Sequence, residues 1–195
     1  QVVSLDAEKF SEDKLILDVD IIMALGGDGT ILRVASIAAK HNIPVLGINT
    51  GNLGFLTEIE TEDIGKSLKL LNENKYYLEK RSMLVAKTDA NEVLHALNEI
   101  VCTKEDISRI SKLDVYFKSG YVDTFWSDGV MISTPTGSTA YSLSVGGPIL
   151  APDLKGFAVT AINPHSLHTR PMVVAELEEI TLKSTSNSKN FIIAD

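Results

Sequence analysis

The sequence predicts an α/β domain with a parallel sheet and flanking helices over residues 1–80, followed by a sandwich-like all-β domain over 81–195, α+β overall. Two observations predict it. Between Val19 and Ile48 an apolar run, a glycine turn, a helical pattern and a second apolar run follow one another at βαβ spacing. After Tyr76 the apolar residues alternate or cluster in short runs separated by turn residues, which is the pattern of antiparallel strands.

Taken in order, the segment before Leu15 is polar and weakly patterned. Val19–Leu25 reads as a buried strand that stops at Gly26-Gly27-Asp28-Gly29-Thr30. A helix is predicted from Thr30 to His41, with Ile31, Val34, Ala35 and Ala38 on one face, ended by Asn42. Pro44–Ile48 is the second strand, parallel to the first through a right-handed crossover. The polar loop Asn49–Phe55 leaves that strand where open α/β sheets bind ligands. Within it Phe55 reads as a core anchor in preference to a stacking platform for a base. A helix over Thr61–Asn72 carries Ile64, Leu68 and Leu71 on its apolar face.

The β runs are Met83–Ala86, Leu94–Cys102, Leu113–Phe117, Val122–Trp126, Val130–Ser133, Phe157–Ile162, Met172–Val174, Ile180–Leu182 and Phe191–Ala194. Thr134–Ser144 breaks the pattern with a concentration of hydroxyls, and a helix is expected to start near Ser138 and end at Gly146-Gly147-Pro148. Gln1 opens in mid-pattern and Phe191–Ala194 reads as a strand that stops at Asp195, so a longer parent protein with both ends truncated here is expected.

The net charge of −8 argues against nonspecific nucleic-acid binding. A single cysteine, Cys102, rules out an internal disulfide and a cysteine metal cluster, and a reducing cytoplasmic setting follows. No apolar run approaches a membrane span, so no membrane partner is expected. His165 and His168 lack acidic and histidine company, and no resident metal site is predicted.

Three stretches carry candidate chemistry. In Gly26–Thr30 the glycines permit positive φ and close approach of a ligand, and the helix N-terminus suits a phosphate. Asp28 repels a phosphate, so it reads as a base, a hydroxyl partner or a neighbour of nucleotide-borne magnesium; as plain structure, Asp28 or Thr30 would be an N-cap. Arg33, in the first turn of the predicted helix after the glycines, is a candidate phosphate neutraliser, as are Arg109 and Arg170. Asn98-Glu99 is a polar pair inside an apolar run, either facing outward or hydrogen-bonding a sugar or amide. The backbone N–H groups beside Gly137 and the hydroxyls around it would grip phosphate or ribose oxygens without net charge. Ser127-Asp128-Gly129 poses the same question as Asn98-Glu99 between two strands, with a β-turn as the plain structural explanation.

Together Gly26-Gly27-Asp28-Gly29-Thr30, Leu97-Asn98-Glu99, Asp128-Gly129 and Ser133–Ser142, extended by Gly146–Leu150 and Asn163–Leu167, resemble the bacterial NAD kinases, in order and over nearly the whole chain. The glycine–aspartate motif alone is also similar to motifs in 6-phosphofructokinases and diacylglycerol-type lipid kinases; the hydroxyl-rich stretch is the specific one. The resemblance implies a site in the crevice between the two domains. It implies phosphoryl transfer from ATP, or polyphosphate in some relatives, to the adenosine ribose 2′-hydroxyl of NAD, with magnesium arriving on ATP. It implies Asp28 as general base and Gly29 and Arg33 as nucleotide contacts. Asn98, Glu99, Asp128, Thr139, Ala140, Tyr141, Ser142, Leu143 and Ser144 would hold NAD, with Arg109 and Asn163 as further contacts. It also implies a homodimer or homotetramer. The position two before Asp128, often basic in that family, is Trp126 here. The alternatives are a non-catalytic dinucleotide-binding regulator and a lipid kinase.

Overall fold

The computed structural model describes residues 19–51, 54–105, 110–185 and 190–195. The chain divides into two compact units, Gln1–Glu79 and Lys80–Asp195.

In the N-terminal unit, strand β1 (Ile22–Gly26) runs into helix α1 (Asp28–Lys40), strand β2 (Val45–Asn49) and the short strand β3 (Ile59–Glu60). The three strands pair in parallel in the order β1-β2-β3, with Ala24 opposite Gly47 and Gly26 opposite Asn49. The 3.6-residue period of Ile31, Val34, Ala35 and Ala38 buries those four against the sheet, and Asn42, in the left-handed region at φ 56°, turns the chain out of the helix. A 3-10 turn (Thr61–Asp63) precedes α2 (Ile64–Asn72), no residue of which is buried. Leu68, predicted on an apolar face, is 42% exposed.

The C-terminal unit contains β4 (Leu84–Lys87), β5 (Val93–Ala96), β6 (Glu99–Lys104), β7 (Ser111–Phe117), β8 (Gly120–Ser127), β9 (Gly129–Ser133), β10 (Gly156–Ile162), β11 (Met172–Ala175), β12 (Thr181–Ser184) and β13 (Asn190–Ala194). They form a five-stranded sheet ordered β11-β10-β9-β6-β13, a three-stranded sheet β12-β7-β8 and a β4-β5 hairpin, all antiparallel. Alternation along each strand decides which side chains meet. Ile100 and Cys102 of β6, Val130 and Ile132 of β9, and Phe157, Val159 and Ala161 of β10 face Leu113, Val115 and Phe125 of the smaller sheet, and together they make the sandwich core. The residues between them point to the opposite face, where Val101, Met131 and Ile162 pack with Val145. The predicted architecture, parallel α/β followed by an antiparallel β sandwich, is the one observed.

Two local expectations are corrected. The run Leu94–Cys102 is not one strand: it breaks at Leu97-Asn98 between β5 and β6. Asp128 does not sit in a hairpin turn: it is the single residue between β8 and β9, which belong to different sheets, so it marks a corner of the sandwich. Among the described residues no helix is long and apolar enough to cross a membrane.

Candidate functional site

The glycine turn of the N-terminal unit departs from the expectation in a useful way. The helix starts at Asp28, with Gly27 as N-cap in extended conformation and no side-chain cap bond, so neither Asp28 nor Thr30 caps it. Gly26 is needed for packing: a Cβ there would fall closer than 3.0 Å to Thr30. Gly27 and Gly29 have open space where a Cβ would lie, so the backbone at the start of α1 is bare on that side.

Asp28 is held by the loop after β2. The backbone N–H of Phe55 donates to Oδ2 at 2.8 Å and that of Leu56 to Oδ1 at 3.0 Å. Gly54 makes this possible, because a Cβ on it would fall closer than 3.0 Å to both carboxylate oxygens. The same loop is tied to its strand by buried Asn49, whose Oδ1 accepts the Gly51 N–H at 3.0 Å. Phe55 is not a core anchor; it is 76% exposed, because its backbone is committed to Asp28 and its side chain points outward. Arg33 falls in the second turn of α1 rather than the first and is exposed.

In the C-terminal unit, the outer face of the five-stranded sheet carries a cleft of about 330 Å³. Alternation along β6 delivers Glu99, Val101 and Thr103 to it, the sandwich corner delivers Asp128, and the end of β10 delivers Ile162 and Asn163. Tyr141, from the short helix α3 (Tyr141–Ser144), and Ile193 and Asp195, at the end of β13, complete it.

Glu99 is the unusual group. Its Oε2 is buried with no hydrogen-bond partner among the described residues. Burial pushes the carboxyl up to about 7, and the negative charge of Asp195 adds to the shift. A buried acceptor without a donor is costly, so this atom is suited to a donor group brought by a ligand.

Asp128 is the opposite case. Lys104 Nζ meets Oδ1 at 2.5 Å and Asn163 Nδ2 donates to Oδ2 at 3.0 Å. These two bonds hold the Asp128 carboxyl below the usual carboxylate range, against a smaller opposing effect of burial. The Lys104 side chain is only 11% exposed, so the ion pair is a fixture of the cleft wall. Lys104→Met is expected to lose stability at neutral pH. A depressed folded pKa contributes stability above the unfolded value and loses it as pH falls through the folded one. The urea stability gap to the wild type therefore closes on the acid side, below the ordinary carboxylate range; a gap independent of pH would refute this role for the pair.

The break at Leu97-Asn98 is stitched to the hydroxyl-rich turn. Thr134, fully buried, donates its Oγ1 to the Leu97 carbonyl at 2.6 Å and its N–H to the Asn98 carbonyl at 2.8 Å, while its Oγ1 accepts the Gly137 N–H at 3.0 Å. Ser138 Oγ donates to the Pro135 carbonyl and accepts the Leu150 N–H. Several of the hydroxyls expected to grip a ligand are thus spent on folding the turn (a 3-10 turn over Gly137–Thr139), which buried placement at the end of central strand β9 requires.

Of the predicted contacts, Glu99, Asp128, Tyr141 and Asn163 share the cleft. Asn98 is buried beside it, in the bend. Thr139, Ala140, Ser142, Leu143 and Ser144 do not line it: Ser142 is buried, and Leu143 and Ser144 are exposed. Asp28, Gly29 and Arg33 belong to the N-terminal unit, and Arg109 lies outside the described residues. Trp126, where a basic residue was expected from the resemblance, is 51% exposed with Lys112 Nζ 5.2 Å from its ring centroid, so a neighbouring strand brings a cation there. Lys104 and Asp195 are not anticipated by the sequence, and Thr134 and Gly54 only as members of the hydroxyl-rich stretch and of the loop after the second strand; Asp195 leaves a signal as an acid directly after an apolar strand. Among the described residues no group of three or more His, Cys, Asp or Glu side chains is placed to hold a metal ion.

Comparison with known proteins agrees with this layout. Residues 1–76 match the ATP-NAD kinase N-terminal domain and residues 97–195 the ATP-NAD kinase C-terminal domain. The chain is 42% identical over 185 residues to a NAD kinase of Bacteroides fragilis, covering 93% of this chain and 64% of that protein. It is 46% identical over 176 residues to one of Moorella thermoacetica, covering 89% and 57%. The chain thus spans less than two thirds of the length of these relatives. Among solved structures it resembles yeast NADH kinase complexed with NADH, with a TM-score of 0.81 at 33% identity over 89% of this chain and 53% of that one. It also resembles a NAD kinase from Archaeoglobus fulgidus in complex with ATP, with a TM-score of 0.79 at 29% identity over 95% and 71%. On these matches, spread over both units, the chain belongs to the ATP-NAD kinase family.

Proposed function

We propose that the full-length protein transfers a phosphoryl group from ATP to the 2′-hydroxyl of the adenosine ribose of NAD, forming NADP. The observation that carries this reading is Glu99, whose buried Oε2 has no partner among the described residues, on the wall of a cleft that also presents Asp128, Asn163 and Tyr141. These are acceptors and donors for the hydroxyls and amide of a dinucleotide, and the acidic pair favours donor-rich sugar edges over bare phosphates. NADH and ATP are the molecules bound in the two structural relatives.

In this reading Asp28 accepts the proton of the attacking 2′-hydroxyl. Two backbone N–H groups fix its carboxylate, yet each oxygen keeps a further lone pair for a substrate hydroxyl. The bare backbone over Gly27 and Gly29, at the positive end of the thirteen-residue α1, receives nucleotide phosphate, with Arg33 nearby on the same helix. Magnesium enters with ATP as part of that substrate and neutralises phosphate charge; the described carboxylates do not assemble a resident site for it. Asn98, Thr139, Ala140, Ser142, Leu143 and Ser144 add contacts to NAD in this reading, and Arg109 a further one. We place the protein in the cytoplasm, as a homodimer or homotetramer, in keeping with its one buried, unpaired cysteine and the family to which it belongs.

The test is incubation of the full-length protein with NAD, magnesium and either ATP or polyphosphate, with NADP read by an NADP-specific dehydrogenase. NADP is expected with ATP. No NADP with either donor overturns the reading, and NADP with polyphosphate alone reassigns the donor.

A further inference from the structure

The bend at Leu97-Asn98 exposes three consecutive backbone N–H groups that no strand partner takes, because β5 has ended and β6 has only begun. They converge on one side chain. Asp195 Oδ2 accepts the N–H of Leu97 at 3.2 Å and of Asn98 at 3.0 Å, and Oδ1 accepts that of Glu99 at 2.9 Å. Such a run of N–H groups forms a concave anion site, here filled by the protein's own carboxylate. The pairing of β13 with β6 brings it there: Ala194 lies opposite Ile100, so the antiparallel register continues to Asp195 opposite Glu99. With the Leu97 and Asn98 carbonyls taken by Thr134, the bend is hydrogen-bonded on both sides.

We propose that Asp195 is a positioning residue for NAD, its carboxylate fixing the Leu97–Glu99 backbone so that the Glu99 side chain is held in the cleft wall. This rests on the reading of the cleft as the NAD site. Asp195 acts through Glu99 in two ways. Its hydrogen bonds orient the backbone that carries Glu99. Its charge opposes ionisation of Glu99, which burial has already pushed up to about 7. The other titratable groups on the cleft are Asp128, paired with Lys104 and near His165, and the Tyr141 phenol. Asp128 stays ionised throughout the neutral range, and a change near neutral pH is assigned to Glu99 where Glu99→Gln abolishes it.

The test uses the full-length protein with Asp195→Asn and Asp195→Glu. Two measurements are made: the titration of the Glu99 carboxyl by carbon-13 NMR without ligand, assigned with Glu99→Gln, and the KM for NAD against pH. Asp195→Asn removes the charge and one acceptor, so the Glu99 midpoint moves below its wild-type value while burial keeps it above the ordinary range. The KM for NAD rises about tenfold, its pH profile shifts with Glu99, and kcat changes little, the signature of lost binding. Asp195→Glu keeps the charge but displaces the bend, so the midpoint stays near wild type while KM rises. A wild-type midpoint and a wild-type KM profile in Asp195→Asn overturn the proposal. Where Asp195→Asn does not fold, an unchanged KM in Asp195→Glu overturns it. If the wild type does not bind NAD, the functional reading fails separately, and the ligand-free midpoint alone decides whether Asp195 governs Glu99.

Discussion

Asp28→Asn is expected to bind NAD with near wild-type affinity and to lose turnover by about a hundred- to ten-thousand-fold. The substitution is isosteric, so the shape of the turn survives. An amide still accepts one of the two hydrogen bonds from the Phe55 and Leu56 N–H groups, but its NH2 faces the other donor. That mismatch costs about 1–3 kcal/mol of local stability. It does not explain a large loss of kcat in protein that is still folded. The missing function is proton acceptance: a ribose hydroxyl attacks poorly unless a carboxylate takes its proton as the bond forms. Single-turnover NADP formation, alongside calorimetric NAD binding, separates the two effects. Turnover within tenfold of wild type, with binding intact, would remove Asp28 from the role of base.

The legibility of this chain in its sequence follows the range of the forces involved. Helix α1 was readable because its burial repeats every three to four residues within one segment, and the β runs because alternation is a property of neighbours. The parallel pairing of β1 and β2 followed from the length of the crossover alone. What failed was set by partners distant in sequence. Phe55 is apolar and reads as core, yet its N–H is committed to a carboxylate 27 positions earlier, and this leaves the ring outside. The polar pair Asn98-Glu99 marks the run Leu94–Cys102, but the break itself is not legible there, because Thr134 and Asp195 stabilise it from 37 and 97 positions away. Within the hydroxyl-rich stretch Thr134–Ser144 the side chains of Thr134 and Ser138 fold the turn, and composition does not distinguish such a hydroxyl from one that faces a substrate. Glu99, Asp128, Tyr141 and Asn163 come from four separate elements, and their common cleft is a product of sheet order β10-β9-β6-β13. Their candidacy came from motif resemblance; their chemistry became visible only with burial and hydrogen bonding.

Gly137→Ala is expected to destabilise the C-terminal unit by about 3 kcal/mol and to weaken NAD binding together with it. The site is a close approach of two backbones. A Cβ on Gly137 would fall closer than 3.0 Å to the carbonyl oxygen, carbonyl carbon and Cα of Asn98, none of which belongs to a flexible side chain. Relief requires either the turn or the bend to move. The turn is held by Thr134, which bonds to the Gly137 N–H and to the carbonyls of Leu97 and Asn98. The bend is held by Asp195. Whichever yields, Glu99 loses its orientation, so stability and the KM for NAD change in concert. The melting temperature falls by roughly 10 °C on this scale. Gly65→Ala in α2, with open space at the Cβ and a gain in helix propensity, is the control and should leave melting unchanged or slightly raised. A Gly137→Ala protein with wild-type melting and wild-type KM would show that the hydroxyl-rich turn is not packed on the Asn98 backbone. The reason for glycine in this motif would then have to be sought in the ligand.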